Sequence, residues 1–435
     1  MGAPPPLPPR AVQFDCERFL ALVLRAGYAG PLSLEIFNDV FRETPNRRTA
    51  TDAMRSLLLV ESQVRRRLER EASQDGAAAA KLAAERTELF DPPAMPRLGG
   101  YSFLEFGVDD SAAAELAVWL GRMGFAQAGR HRSKAVALFR QGSIRLVVNA
   151  EPESSARRRF VEGGPCVCAI GIATPEPERA VNRAVALQSA RVEGPRGPRE
   201  LAMPAIVSPG GILVHFVAGS SPDADPLAAD FVDDPRGEAV PDGGLRSIDH
   251  IALGLANDRL DSWVLFGRAV LGLEPGDSLE LADPFGLVRS VGVADIERSL
   301  RIVLNTSSSR TTRTARKASA TGGVGVQHIA FACDDIFSTV ARLRSRGVAF
   351  VAISANYHDD LAARLDLDPA LLASLRELGI LFDRSADGDY LHIYTEAFAD
   401  RFFFEIVQRV RAYDAYGALN APARLAAEAQ ARESS

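Results

Sequence analysis

Arg401-Phe-Phe-Phe-Glu-Ile-Val-Gln-Arg409 is the stretch on which the reading of this chain turns. Its aromatic and β-branched content is that of a strand. One carboxylate, Glu405, sits among three aromatics, an Ile and a Val. Burying an ionised carboxylate in such company is costly unless it is paired or holds a metal. Two other stretches share the design: Ser247-Ile-Asp-His-Ile-Ala-Leu253 and Val326-Gln-His-Ile-Ala-Phe331 each set one histidine in an apolar run. His250, His328 and Glu405 are spaced 78 and 77 residues apart. Two histidines and one carboxylate, on three strands of one domain, are the ligand set of a non-haem Fe(II) site.

Working outward, these strands fall into a repeat. Strand 247–254 precedes a helix over 257–271 and strands near 277–282, 287–295 and 299–305. A Ser/Thr/Arg/Lys-rich loop over 306–321 leads to strand 325–332, helix 334–345 and strand 347–352. Helices 359–364 and 368–377 form an excursion before strands 379–384, 389–395 and 402–408. Residues 98–219 run through the same order: strand 101–108, helix 111–123, strands 137–140 and 144–149, then strand 166–172, helix 176–189 and strands near 201–207 and 212–217. A βαβββ unit therefore occurs four times, in two pairs, and internal repetition of this kind fixes the architecture. The expectation is an α+β fold in which each pair curls its strands into a half-open barrel with helices outside. Aligning the repeats sets Glu105, Ala169 and His215 where His250, His328 and Glu405 stand. One ligand is missing there, so the first pair reads as a structural partner. Residues 220–245, rich in Pro, Asp and Gly, read as a linker.

The N-terminal part has a different rhythm. Met1 to Arg10 is Pro-rich, without the apolar core of a signal peptide. Met1-Gly2 does not read as a myristoylation signal, because Pro6 stands where Ser or Thr is wanted. Helical spacing over 14–25, a strand over Leu32–Phe37 and an amphipathic helix over 48–72 follow. The Ala/Glu/Lys-rich stretch after it reads as a helical connector ending at Asp91-Pro-Pro93.

Composition narrows the function classes. At 47% hydrophobic and 24% charged the chain is ordinary for a globular protein, and a length of 435 residues suits two to four domains. A net charge of −6 gives no footprint for nucleic acid. No apolar run approaches the ~18 residues of a membrane span. Cys16, Cys166, Cys168 and Cys333 read as small buried residues in a reducing, cytoplasmic setting. P-loop, G-x-S-x-G and paired CxxC motifs are absent from the sequence. The basic run Arg310 to Lys317 reads as a solvated loop, since no aromatics interleave with it. His131 and the Tyr357-His358 pair read as surface positions.

Residues 246–410 resemble the catalytic half of the 4-hydroxyphenylpyruvate dioxygenases, in the vicinal-oxygen-chelate superfamily. The matching runs are Ile248-Asp-His-Ile-Ala252, Gly325-Val-Gln-His-Ile-Ala-Phe331 followed by Asp334-Asp-Ile336, and Phe403-Phe-Glu-Ile-Val-Gln-Arg409. Residues 98–219 resemble the non-catalytic half. The resemblance implies Fe(2+) at His250, His328 and Glu405, with Mg(2+) or another divalent metal as the alternative. It implies a small aromatic 2-oxo acid and O2 as partners, with Ser290, Asn305, Gln327, His392, Tyr394 and Phe403 lining the substrate pocket. Decarboxylation and ring hydroxylation, as in tyrosine catabolism, would be the reaction. The chain departs from the family at His392 (usually Gln), at Tyr394 (usually Phe), and after Asn420, where Ala421-Pro422 replaces an aromatic gate. The glutamine that follows the Asn305 position in the family has no counterpart in 306–321. His392 either hydrogen-bonds substrate or bonds a neighbour.

A second resemblance covers about 60 residues. Gly27-Tyr-x-Gly-Pro-Leu-Ser-Leu-Glu-Ile-Phe-Asn-Asp-x-Phe-Arg42 is similar to the last unit of the sugar-phosphate-isomerase-like TIM barrel of bacterial 3-dehydroshikimate dehydratases, where Glu35 occupies the place of a metal ligand. The organisation expected is a barrel remnant at 1–72, a helical connector at 73–97, and two tandem vicinal-oxygen-chelate domains at 98–219 and 246–410. The linker at 220–245 joins these two, and a C-terminal helix occupies 411–435. Two functions stay open: a 4-hydroxyphenylpyruvate dioxygenase-like Fe(II) oxygenase, and the truncated C-terminal part of a 3-dehydroshikimate dehydratase carrying a metal-binding accessory module. Glyoxalase-like or extradiol ring-cleaving chemistry is a third, lesser reading. Assembly as a homo-oligomer is compatible with either of the first two.

Overall fold

The computed structural model describes residues 15–35, 37, 42–73, 78–194, 200–219, 226–233 and 242–433. They divide into two compact units, Met1–Pro93 and Ala94–Ser435. Among the described residues no helix is long and apolar enough to cross a membrane.

The first unit is helical. Helix Cys16–Arg25 opens at Asp15, whose carboxylate accepts a hydrogen bond from the Arg18 amide. Helices Asn46–Ala72 and Ala78–Arg86 pack with it through Ala21, Leu24, Val64, Leu68, Ala80 and Ala83. The third helix therefore belongs to this small core instead of acting as a free connector. The strand expected over 32–37 is not formed at 31–35, and Ile36 lies outside the described residues. A lone strand has no neighbour to satisfy its N–H and C=O groups. Glu35 is exposed and takes part in no metal-competent cluster among the described residues.

The second unit holds two sheets. The first contains β1 Tyr101–Gly107, β2 Ala126–His131, β3 Val136–Gln141, β4 Ile144–Asn149, β5 Cys166–Thr174, β6 Arg191–Val192, β7 Ala205–Val207, β8 Leu213–Ala218 and β9 Phe231–Asp233, in the order β6-β7-β8-β5-β1-β4-β3-β2-β9. The second contains β10 Leu245–Leu255, β11 Glu274–Asp283, β12 Gly286–Ala294, β13 Arg301–Thr306, β14 Val324–Cys333, β15 Leu381–Arg384, β16 Gly388–Tyr394 and β17 Phe403–Arg411, in the order β11-β12-β13-β10-β14-β17-β16-β15. In both, the first strands of the two repeats, β1·β5 and β10·β14, pair antiparallel at the centre. A parallel partner flanks each: β4 and β8 in the first sheet, β13 and β17 in the second. The two curled sheets match the vicinal-oxygen-chelate layout.

Several elements differ from the sequence reading. Part of the linker, Phe231–Asp233, adds an edge strand to β2, pairing with the backbone groups that β2 would otherwise leave open. β2 itself and helix Ser155–Gly163 were not anticipated. The basic run thought to be a loop forms helix Arg313–Ala320, capped by the Thr312 hydroxyl, which accepts from the Ala315 amide. Residues 347–352 supply one bridge, Phe350 to Thr395, and no strand. His358 lies in helix Ala355–Arg364, buried and bonded to the Ile380 carbonyl at 3.1 Å, so it is no surface turn. His131 is also no surface residue: its side chain is 8% exposed. The C-terminal helix occupies only Ala421–Glu433, since β17 runs on to Arg411.

Candidate metal centre

β10, β14 and β17 are neighbours in the sheet, and each delivers one donor to the same inner face. His250 lies opposite Ala330, and Ala330 lies opposite Glu405, so one row of the sheet crosses all three strands. His328, two residues before Ala330, projects to the same side. His250 Nε2 stands 3.3 Å from His328 Nε2 and 3.3 Å from Glu405 Oε2, and His328 Nε2 stands 3.1 Å from Glu405 Oε2. All three residues are buried. They form the one cluster of three or more potential metal-holding His, Cys, Asp or Glu side chains among the described residues.

The donor set fits a small divalent cation. Bonds of ~2.1 Å meeting near right angles put donors ~3.0 Å apart, close to these separations. The tautomers agree. His250 Nδ1 is 2.7 Å from Asp249 Oδ1, so it carries the proton and Nε2 offers its lone pair. Two ring nitrogens and a carboxylate oxygen then converge on one point, an arrangement that repels unless a cation or proton stands there. Burial would raise the Glu405 carboxyl, but the adjoining His250, His328 and His392 imidazoles outweigh this and hold it well below its usual range. Desolvation pushes His328 down to about 4, against the pull of Glu405. At His250 burial is outweighed by Asp249 and Glu405, and the imidazole is raised.

Two flanking groups brace the ligands. Asp249 receives a two-pronged bond from Arg409, Nε to Oδ2 at 2.7 Å and Nη2 to Oδ1 at 2.8 Å. The Arg409 guanidinium lies over the Tyr390, Tyr416 and Tyr413 rings at 5.0, 5.6 and 5.9 Å. A register shift between Ile248 and His250 makes Asp249 the extra residue of a bulge, which lets it sit beside the histidine that follows. His392 Nδ1 is 2.7 Å from Glu405 Oε1, and its Nε2 is 2.9 Å from the Asn420 amide nitrogen. Asn420 donates there, so Nδ1 carries the proton toward Glu405. Both ring nitrogens of His392 are thus bonded to neighbouring side chains.

The other pocket residues fall into two groups. Phe403 and Tyr394 adjoin the triad, their ring centres 5.1 and 6.1 Å from that of His328. Ser290 pairs with Asn305 across β12 and β13, and the Asn305 amide donates to Gln327 Oε1 at 3.3 Å. A second register shift, between Ala252 and Leu253, falls at Gln327 and turns it toward Gly254. Sequence reasoning missed the Asp249–Arg409 brace, although both residues stand inside the quoted motifs. It also missed the basic groups above Phe403. Arg424, from the C-terminal helix, lies 5.0 Å from the Phe403 ring centre and 5.2 Å from that of Tyr394. Lys317 lies 5.8 Å from the Phe403 ring centre. For Lys317 the available signal was the spacing of small Thr314 and Ala318 four residues apart, the period of a helix.

The first sheet corrects the repeat alignment. Gly107 pairs with Asn149 as Gly254 pairs with Asn305. Counting back, Phe103 takes the place of His250, and Glu105 that of Ala252. The row Phe103, Gly171, His215 answers His250, Ala330, Glu405. Glu105 was offset by one pleat, because a register shift between Tyr101 and Phe103 cannot be read from the sequence.

Comparison with known proteins gives two family models and closer relatives. Residues 90–227 match the model "Hydroxyphenylpyruvate dioxygenase, HPPD, N-terminal", and residues 247–369 match the "Glyoxalase/Bleomycin resistance protein/Dioxygenase superfamily". The chain is 45% identical over 421 residues to a 3-dehydroshikimate dehydratase of Pseudomonas putida, covering 97% of this chain and 65% of that protein. It thus spans just under two thirds of that relative's length. A 4-hydroxyphenylpyruvate dioxygenase of a Pseudomonas species is 31% identical over 294 residues, 66% of this chain and 82% of that protein. A solved xylose isomerase-like TIM barrel/4-hydroxyphenylpyruvate dioxygenase fusion protein superposes with a TM-score of 0.82 at 44% identity, over 97% of this chain and 65% of its own.

Proposed function

The chain belongs to the 4-hydroxyphenylpyruvate dioxygenase family, and from that premise we propose that its last half is a non-haem Fe(II) oxygenase for an aromatic 2-oxo acid. The observation that carries this reading is the convergence of His250, His328 and Glu405 at 3.1 to 3.3 Å in a buried pocket. Ferrous iron, when bound, supplies the redox chemistry with O2 that decarboxylation and ring hydroxylation require. The residues of the chain position and shield. Three strands present His250, His328 and Glu405 as the side chains that would hold the ion, and a two-His, one-carboxylate set of this kind would leave room for a 2-oxo acid and O2. Asp249 keeps the His250 proton on Nδ1, and His392 keeps Glu405 Oε1 occupied so that Oε2 faces the site. Phe403 and Tyr394 offer flat apolar faces to an aromatic ring and exclude water. Ser290, Asn305 and Gln327 supply hydroxyl and amide groups for the polar end of the substrate.

Reconstitution with Fe(II) under anaerobic conditions tests this. Admitting air in the presence of 4-hydroxyphenylpyruvate should produce O2 uptake with matching CO2 release. Bound iron without uptake on this or another aryl pyruvate overturns the oxygenase reading.

A second reading has its own support. Both His392 nitrogens are engaged, by Glu405 and Asn420, where the family presents a glutamine. The 45% relative is named for dehydration. In this reading the chain is the metal-binding accessory part of a 3-dehydroshikimate dehydratase, with Mg(2+) or another divalent ion as its metal. Joining the barrel of the Pseudomonas putida relative to this chain should then give dehydration of 3-dehydroshikimate that weakens when Glu405 is replaced. Dehydration indifferent to Glu405→Ala counts against it.

A further inference from the structure

The first sheet of the second unit lines a half-open cavity of about 640 Å³, within the ~300–1,000 Å³ of small-molecule sites. It is the counterpart of the metal pocket, with Phe103 and Ala169 in the places of the two histidines, so a three-donor metal site is gone. Apolar walls come from Phe103, Val136, Val147, Leu213 and Leu227. Glu105 faces this space. Its carboxylate receives one hydrogen bond, from the Asn149 amide to Oε1 at 2.6 Å, and no Lys or Arg pairs with it among the described residues. His215 adds a second polar group to this wall. Its Nδ1 lies 3.4 Å from the Met203 carbonyl oxygen, which makes Nδ1 the protonated nitrogen and leaves a lone pair on Nε2. That nitrogen has no partner among the described residues. The cations at the rim are spoken for: Lys134 is 2.6 Å from Glu200, and Arg191 is 2.9 Å from Glu178.

A cavity with apolar walls and an acid-rich polar lining, Glu193 and Asp230 among it, thus presents Glu105 and His215 as acceptors and carries no cation left over for Glu105 among the described residues. An anion would be repelled, and a neutral apolar guest would leave Glu105 poorly solvated. We propose that this cavity is a second ligand site, taking a small organic cation whose ammonium group is recognised by Glu105 and His215 and whose compact ring fills the apolar walls. The pocket stands apart from the metal centre, and the proposal does not depend on which reaction that centre performs.

Three probes that differ in charge test it on the full chain by calorimetric titration: tyramine, 4-ethylphenol and 4-hydroxyphenylacetate. Tyramine should bind at least about tenfold more tightly than the acid, with the phenol between them. Glu105→Gln keeps the shape and removes the charge, and should weaken tyramine about tenfold. Val147→Trp fills the cavity and should abolish binding while circular dichroism reports a folded chain. The proposal fails if tyramine does not bind at millimolar concentration, or if the acid binds as well as the amine. It also fails if binding survives Glu105→Gln but is lost in Glu405→Ala, which would place the amine at the metal centre.

Discussion

Asp249 is the residue on which the geometry of the triad leans most. It fixes the tautomer of one ligand and neutralises Arg409, whose side chain is 14% exposed. Asp249→Asn should lower metal affinity by about 10–100-fold, as loss of a bonded partner to a metal histidine does, measured by competition with a chelator. Asp249→Ala also strands the guanidinium. Arg409 keeps bonds to the Tyr413 and Ala415 carbonyls, so the expected cost is about 3 kcal/mol, the low end for a broken buried pair, read from urea unfolding. Lys317 provides a pH test. Burial, then the neighbouring Arg313, pushes its ammonium down to about 7 from an ordinary 10.5. Between those values the unfolded chain holds a proton that the folded chain has released, so stability rises with pH. Lys317→Met should flatten that rise, seen by comparing urea midpoints at pH 7 and pH 9. At this scale the sequence showed the three candidate donors, because a polar residue inside an apolar strand stands out. It hid their braces, because Asp249, Arg409 and Lys317 look like solvated charges until burial is known.

β17 shows how one element serves two faces. Phe403 and Glu405 point to the metal pocket, while Phe402 and Phe404 point the other way. There Trp119, from the helix Asp110–Arg122, stacks on Phe404 at 4.3 Å, and Phe106 meets Phe402 at 5.1 Å. The first half of the second unit thus covers the back of the strand that carries Glu405. Trp119→Ala should destabilise by about 2–4 kcal/mol, below the fully buried range because Trp119 is half-buried. If the cover also holds β17 in place, that variant should retain metal less well than wild type at equal folded fraction. Equal retention would make the contact purely a matter of stability. Repeat order and most strands were legible from alternation and spacing. The bulges at Asp249 and Gln327 and the edge strand Phe231–Asp233 were not, because register and edge pairing depend on the neighbouring strand.

For the whole molecule, occupation of the candidate metal centre would be linked to folding. If the second unit binds a divalent ion only when folded, an ion at 100 times its dissociation constant should stabilise it by about 2.7 kcal/mol. Thermal melts with Mn(2+), or with anaerobic Fe(2+), should show the shift, and Glu405→Ala should remove it. A shift that persists in that variant would place the ion elsewhere. The first unit should not share in the effect, because no metal-competent cluster lies among its described residues. The sequence by itself determined the α+β repeat and the three donors, since hydrophobic period and an isolated polar residue are local properties of a strand. It overreached at 32–35, where a strand pattern finds no partner strand among the described residues. Only the tertiary structure decided that the three donors lie within 3.3 Å of one another. Only there do both His392 nitrogens meet Glu405 and Asn420, and only there does the first sheet line a cavity with Glu105 one pleat from the expected register. Each of these depends on register across non-adjacent segments, and no local period records it.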